Sequence, residues 1–169
     1  MWVFDATPLI YLAKADQLDI VSHLDGSRLI PEHVYTEVVT TGIEHGYPDA
    51  RRIEQGVENH LFEVAAADET PFARRIQQNP NLSAADVAVL ALAKQREATA
   101  VMDEHYGRDV AETEDIQTRG AAYLILHCVK HGTITTETAR ETLDTMVEEG
   151  WFCAPNLYAK LVQKLESLE

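Results

Sequence analysis

Trp2-Val-Phe-Asp5 constrains the fold more than any other stretch of the chain. Three apolar residues, Trp2, Val3 and Phe4, run directly into an acid. Thr7-Pro8 then opens a helical pattern carrying Leu9, Ile10, Leu12 and Ala13. Thr is a favourable helix cap and Pro a favourable first helical residue. The pattern predicts a buried strand that ends at Asp5 and passes at once into a helix. Ligands of open α/β sheets bind at the carboxyl ends of the strands, so Asp5 is expected to face a functional edge.

The rest of the chain repeats the alternation of strand and helix. The helical pattern from Pro8 to Leu24 breaks near Asp16, and Asp25-Gly-Ser27 reads as a turn. Leu29-Ile30 is a short second strand, and Pro31 starts a helix bearing Val34, Glu37 and Val38. A break over 40–49 precedes a helix over 50–59 and an edge strand over 61–64. The polar stretch 71–82 leads to Ser83, which caps a strongly apolar helix running to Gln95, with Asp86 at capping-box spacing. Thr99 to Met102 is the next strand, with Asp103 directly after it. A short helix to Val110, a last strand around Ile116 and a helix from Arg119 to His131 follow. Two more helices, 136–149 and one after Pro155, look appended. The alternation predicts an α/β fold with a mainly parallel central sheet. The 169 residues fit a single domain, 1–169, with an α/β core over about 1–131 and a helical extension over 132–169.

No apolar run approaches the roughly 18 residues that cross a membrane. The N-terminus lacks the basic flank and apolar core of a secretory signal. Cys128 and Cys153 form no Cys-x-x-Cys pair, which fits a reducing compartment. The expectation is a cytoplasmic protein with no membrane partner. Net charge is −14, and only five of the 14 basic residues are lysine: Lys14, Lys94, Lys130, Lys160 and Lys164. The acid is spread along the chain, a distribution that suits a high-salt interior where self-repulsion is screened. Overall charge therefore does not exclude a nucleic-acid substrate, and local arginines would mark a phosphate path.

Asp5 and Asp103 each follow an apolar strand, so parallel neighbouring strands would deliver both carboxylates to one edge. Glu37 and Asp86 lie near the starts of helices, which also face that edge. Four clustered carboxylates raise one another's pKa unless a cation compensates. No His or Cys accompanies them at ligand spacing, and oxygen-only ligands favour Mg²⁺ or Mn²⁺. Such ions activate water and bind phosphodiester oxygens. Each acid taken alone also has a structural reading: a cap for Asp5, Asp86 or Asp103, and a solvated surface acid for Glu37.

Four segments together resemble the PIN-domain family, which includes VapC-type toxins. They are Val3-Phe-Asp-Ala-Thr-Pro-Leu-Ile-Tyr-Leu-Ala13, Leu29-Ile-Pro-Glu-His-Val-Tyr-Thr-Glu-Val38, Leu82-Ser-Ala-Ala-Asp-Val-Ala-Val-Leu-Ala-Leu-Ala93 and Val101-Met-Asp-Glu-His-Tyr-Gly-Arg-Asp-Val-Ala111. The resemblance implies a three-layer α/β/α sandwich and Mg²⁺- or Mn²⁺-dependent cleavage of RNA. It implies that Asp5, Glu37, Asp86 and Asp103 are the catalytic and metal-binding acids, with Thr7 the hydroxyl residue after the first. It further implies a homodimer and an antitoxin protein as partner. Two positions depart from the family pattern. Asp86 is shorter than the Glu of many relatives, and Glu104 is longer than the Asp that often follows the later acid.

Arg108, close in sequence to Asp103, is the candidate for holding a phosphate or an acidic neighbour. Arg51-Arg52 and Arg74-Arg75 are the densest basic spots, readable as phosphate contacts or as solvated arginines. His127 and His131 have a zinc-compatible spacing but lack the Glu of a metalloprotease motif, and read as helix-face residues. Two other functions stay open. One is a PIN-like RNA- or partner-binding protein with little or no catalysis. The other is a haloacid-dehalogenase-like phosphatase, whose motif needs a second Asp where Thr7 stands.

Overall fold

The computed structural model describes residues 1–169. Its frame is one five-stranded sheet, all parallel, in the order β3-β2-β1-β4-β5. The strands are β1 (Trp2–Phe4), β2 (Arg28–Pro31), β3 (Glu63–Ala65), β4 (Thr99–Val101) and β5 (Thr118–Arg119). β1 is central, and its Val3 and Phe4 are fully buried, as a strand covered on both faces requires. Chain progress reverses at β1: β2 and β3 are added on one side, β4 and β5 on the other. Such a reversal opens a crevice at the carboxyl ends of the two strands that flank it.

Right-handed crossovers place the helices. Connections that run in opposite directions across the sheet lie on opposite faces. α6 (Ala84–Arg96) returns from β3 to β4 and packs across β1, β2 and β4. α1 (Ala6–Lys14) and α4 (Pro48–Glu58) pack together on the other face. The result is a three-layer α/β/α sandwich. The helix after β2 is one rod in three pieces: α2 (Glu32–Tyr35), a π-helical turn Thr36–Thr41 and α3 (Gly42–Glu44). α5 (Pro71–Gln77) starts at a Thr70 cap whose hydroxyl accepts from Ala73 N at 3.0 Å. α7 (His105–Thr113) joins β4 to β5. α8 (Ala121–Lys130), α9 (Thr136–Glu148) and α10 (Pro155–Ser167) complete the chain.

The expected elements are present, with local differences. Thr7 does not cap α1; Asp5 does, its Oδ1 accepting from Ala6 N at 2.8 Å. A carboxylate at the end of a strand already has the extended backbone that a cap needs, so the helix starts two residues earlier. The last strand is Thr118–Arg119 and not around Ile116, which is buried just before it. Arg119 belongs to that strand, and α8 begins only at Ala121. The polar stretch after Thr70 forms α5, because Thr70-Pro71 supplies the cap and first residue of a helix. α9 packs against α1 and α8, and Ala139, Leu143, Met146 and Trp151 join the main core. No helix is long and apolar enough to cross a membrane.

These caps predict a contrast between two threonines. Thr70→Ala should lower stability by about 1 kcal/mol, because it removes a cap acceptor. Thr7→Ala should change it by less than about 0.5 kcal/mol, as expected away from a cap or a packed contact. Chemical denaturation of the two variants checks the difference; equal losses would restore Thr7 as a cap.

Candidate active site

β1 and β4 pair in register, Phe4 opposite Val101, and the Asp5 N–H donates to Val101 O at 2.9 Å. Both strands therefore stop at the same level. Asp5 follows β1 directly, and Asp103 lies two residues beyond β4. Asp5 is only 6% exposed, although it is charged by type. Burial is the main cause that lifts its pKa from the ordinary 3.8 to about 7. The Ala6 N–H opposes the shift, while the charges of Asp86, Glu37 and Asp103 add to it. The three other acids singled out in the sequence thus all act on Asp5.

Each acid is delivered by a different device. Asp86 sits at the third position of α6 in a reciprocal capping box: its Oδ2 accepts from Ser83 N, and Ser83 Oγ accepts from Asp86 N, both at 3.0 Å. Capping leaves Asp86 near enough to Asp5 for its charge to act there. Glu37 is exposed and lies in the π-helical turn. Such turns often occur at functional sites, because the extra residue re-aims a side chain. Asp103 is half-buried, and its Oδ1 accepts from Ala121 N at 2.8 Å. Burial raises its pKa, against the Ala121 N–H, the Trp151 indole N–H and the positive charge of Arg108. The contact with Trp151 has no counterpart in the sequence pattern, since 48 residues separate the partners.

Gly120 lets the parts close up. A Cβ there would lie 2.7 Å from Asp103 Oδ1 and 3.2 Å from Arg108 Nη1. Arg108 is thereby placed beside Asp103, as its position in the chain suggested. Glu104 does not join the acids: it caps α7, accepting from Tyr106 N at 3.0 Å and Gly107 N at 2.7 Å. Thr7, half-buried in the first turn of α1, is near Asp5 in the chain.

No three Asp, Glu, His or Cys side chains are gathered closely enough to hold an ion as they stand. The donor set itself suits a hard cation: all oxygen, with the innermost carboxyl forced towards neutrality. The His127 and His131 rings lie 4.2 Å apart, tilted by 33°, and His131 Nδ1 lies 2.8 Å from the His127 carbonyl oxygen, which makes them helix-face residues. The densest basic spots are committed internally. Arg52 donates to Ala13 O, Arg51 pairs with Glu54, Arg74 faces Glu69 at 3.7 Å, and Arg75 grips Glu114 through two bonds.

A family model described as a PIN domain matches residues 1–167. The chain belongs to the PIN-domain family. PIN domains are generally nucleases, and they generally use divalent metals. A domain of a functionally unknown protein from Methanocaldococcus jannaschii DSM 2661 is a similar solved structure. Its TM-score is 0.48 at 16% identity, over 70% of this chain and 89% of that one. No curated protein matches.

The pKa of Asp5 links this PIN domain's stability to pH. Between about pH 4 and pH 7 the folded protein keeps the Asp5 proton while the unfolded chain releases it, so stability falls as pH rises through that window. Above it the buried charge costs on the order of 4 kcal/mol. Asp5→Asn should therefore stabilise the metal-free protein, and by more at about pH 8 than at about pH 5. Paired melting curves at the two pH values test this; a gain independent of pH would show that Asp5 does not titrate in that window.

Proposed function

We propose that this PIN domain is a divalent-metal-dependent endoribonuclease that hydrolyses RNA phosphodiester bonds. The observation that carries the reading is the burial of Asp5 at the end of the central strand, with Asp86, Glu37 and Asp103 all acting on its charge. A protein keeps such a costly arrangement where a bound cation repays it.

Asp5, Asp86 and Asp103 would hold Mg²⁺ or Mn²⁺, with Glu37 completing the acidic set. The ion, when bound, supplies a Lewis acid for phosphoryl oxygens and lowers the pKa of water. The remaining work belongs to the chain. The Ala6 N–H fixes one oxygen of Asp5 and leaves the other free to ligate. Burial of Asp5 excludes bulk water and strengthens local electrostatics. Arg108 carries positive charge beside Asp103, where it can hold a phosphate, and Thr7 offers a hydroxyl two residues after Asp5. The exposed Glu37 is suited to accept a proton. The reading extends to the toxin of a toxin–antitoxin pair and to a homodimer. Val147, Phe152 and Leu157, exposed on the C-terminal segment, offer apolar surface for a protein partner.

One observation favours a second reading, a PIN-like binding protein without catalysis. Asp86 is short and already tied to Ser83, which limits its reach towards an ion. Metal response separates the two. Millimolar Mn²⁺ should raise the melting temperature, because a ligand of the folded state alone adds stability by mass action. Asp103→Ala should remove most of that rise, and Asp5→Asn should abolish RNA cleavage while leaving the fold intact. An equal Mn²⁺ response in wild type and Asp103→Ala would reduce the effect to surface screening. Cleavage by Asp5→Asn at the wild-type rate would refute the proposed role of Asp5.

Salt provides a further test. Phosphate contacts release counterions, so RNA affinity normally falls steeply with salt. The chain carries a net charge of −14, and Arg108 is the basic group placed beside the acids. The salt slope of RNA binding should be shallow, equivalent to about two or three neutralised phosphates. Cleavage should persist at roughly 1 M KCl, where surface repulsion is screened. A steep loss of rate with the circular-dichroism spectrum unchanged would reveal an extended basic track.

A further inference from the structure

The link between α9 and α10 reaches the acidic edge. α9 ends in two bonds: Gly150 N–H donates to Val147 O at 3.0 Å, and Trp151 N–H to Met146 O at 2.8 Å. That pair is the Schellman arrangement, which reverses the chain after a helix. Gly150 takes φ +108°, a conformation that L side chains rarely adopt. A Cβ on it would lie 3.5 Å from Tyr11 Oη on α1, so the turn sits close against the helix that follows Asp5.

The reversal sends the next residue into the core. Trp151 is 6% exposed, and its indole Nε1–H donates to Asp103 Oδ2 at 3.3 Å. The other oxygen, Oδ1, accepts from Ala121 N at 2.8 Å. Asp103 is thus held at both oxygens, by two separate parts of the chain.

We propose that Trp151 is a positioning residue for Asp103, making the C-terminal segment a working part of the acidic site. The role rests on the reading of that site as a metal-dependent nuclease centre. Asp103 lies in the short link after β4, and one hydrogen bond at Oδ1 leaves the carboxylate free to pivot away from the other acids. A donor at Oδ2 removes that pivot. The indole N–H can only donate, so it favours the charged carboxylate that a cation needs. Each carboxylate oxygen has further acceptor capacity, which leaves Asp103 able to ligate while held. The buried ring is fixed by packing, and the Schellman turn sets where it enters.

The test compares wild type with Trp151→Phe, which keeps an aromatic ring and loses the donor. Partners that orient metal ligands typically contribute 10–100-fold in affinity. Trp151→Phe should therefore weaken Mn²⁺ binding by about tenfold or more in calorimetry. A merely structural tryptophan would lower the melting temperature and leave the Mn²⁺ affinity of the folded protein unchanged, and that result would overturn the proposal. A second measurement needs neither metal nor a change at Trp151. The only other tryptophan, Trp2, donates its indole N–H to Asp25 O, so it serves as an internal control in ¹⁵N–¹H spectra. In metal-free protein, Asp103→Asn should move the Trp151 indole signal and leave that of Trp2 in place. Two unmoved signals would overturn the contact. If wild type binds no Mn²⁺, the metal reading of the site fails by itself, and the indole signals alone then decide whether Trp151 holds Asp103.

Discussion

The pairing of β1 with β4 is the constraint on which the rest of the structure depends. Phe4 opposite Val101, continued by the Asp5 N–H to Val101 O, brings two strands about a hundred residues apart to the same level. A slip of one residue would turn every buried side chain of β1 to the other face. Val3, Phe4, Ala100 and Val101 are all fully buried, so the register has no cheap alternative. With that register in place, Asp5 and Asp103 have no freedom to be far apart. Reversal of chain progress at β1 makes the carboxyl ends of these two strands the expected place for a ligand.

Burial and charge pull against each other at this edge. A buried carboxyl with three acids acting on it destabilises the charged folded protein, and only local donors soften the effect. Asp5 has one, the Ala6 N–H at the start of α1. Asp103 has the Ala121 and Trp151 N–H groups and the nearby charge of Arg108. The better-supported acid lies where three parts of the chain meet: α7 through Arg108, α8 through Ala121, and the link before α10 through Trp151. Gly120 is small enough to let the first two approach.

Much of the site was legible because strand ends and helix starts leave local marks. Apolar runs stopping at Asp5 and Asp103, and the Ser83–Asp86 capping box, are visible within a few residues. Glu37 was placed on a helix, but its π-helical turn was not expected, since a one-residue change in helical winding leaves no distinct hydrophobic period. Thr7 and Asp5 both read as caps for α1, because hydroxyl and carboxylate residues favour that position, and the extended backbone at the end of β1 decides for Asp5. β5 was drawn too early, around Ile116, because two strand residues are too few to show alternation. Arg51, Arg52, Arg74 and Arg75 read as free charge, yet their partners Glu54, Ala13, Glu69 and Glu114 include some nearly forty residues away.

The sequence by itself determined the alternating elements and the parallel sheet, because periodicity and caps are local properties of the chain; it also marked the four acids as candidates. Only the tertiary structure decided how these acids act on one another, and which basic groups remain available. It also decided that the C-terminal segment, which reads as an appendage, reaches into the site through Trp151. The physical reason is reach. A hydrogen bond such as Trp151 to Asp103 depends on strand register, crossover hand and the angle of a helix end together, and no single stretch of sequence carries all three.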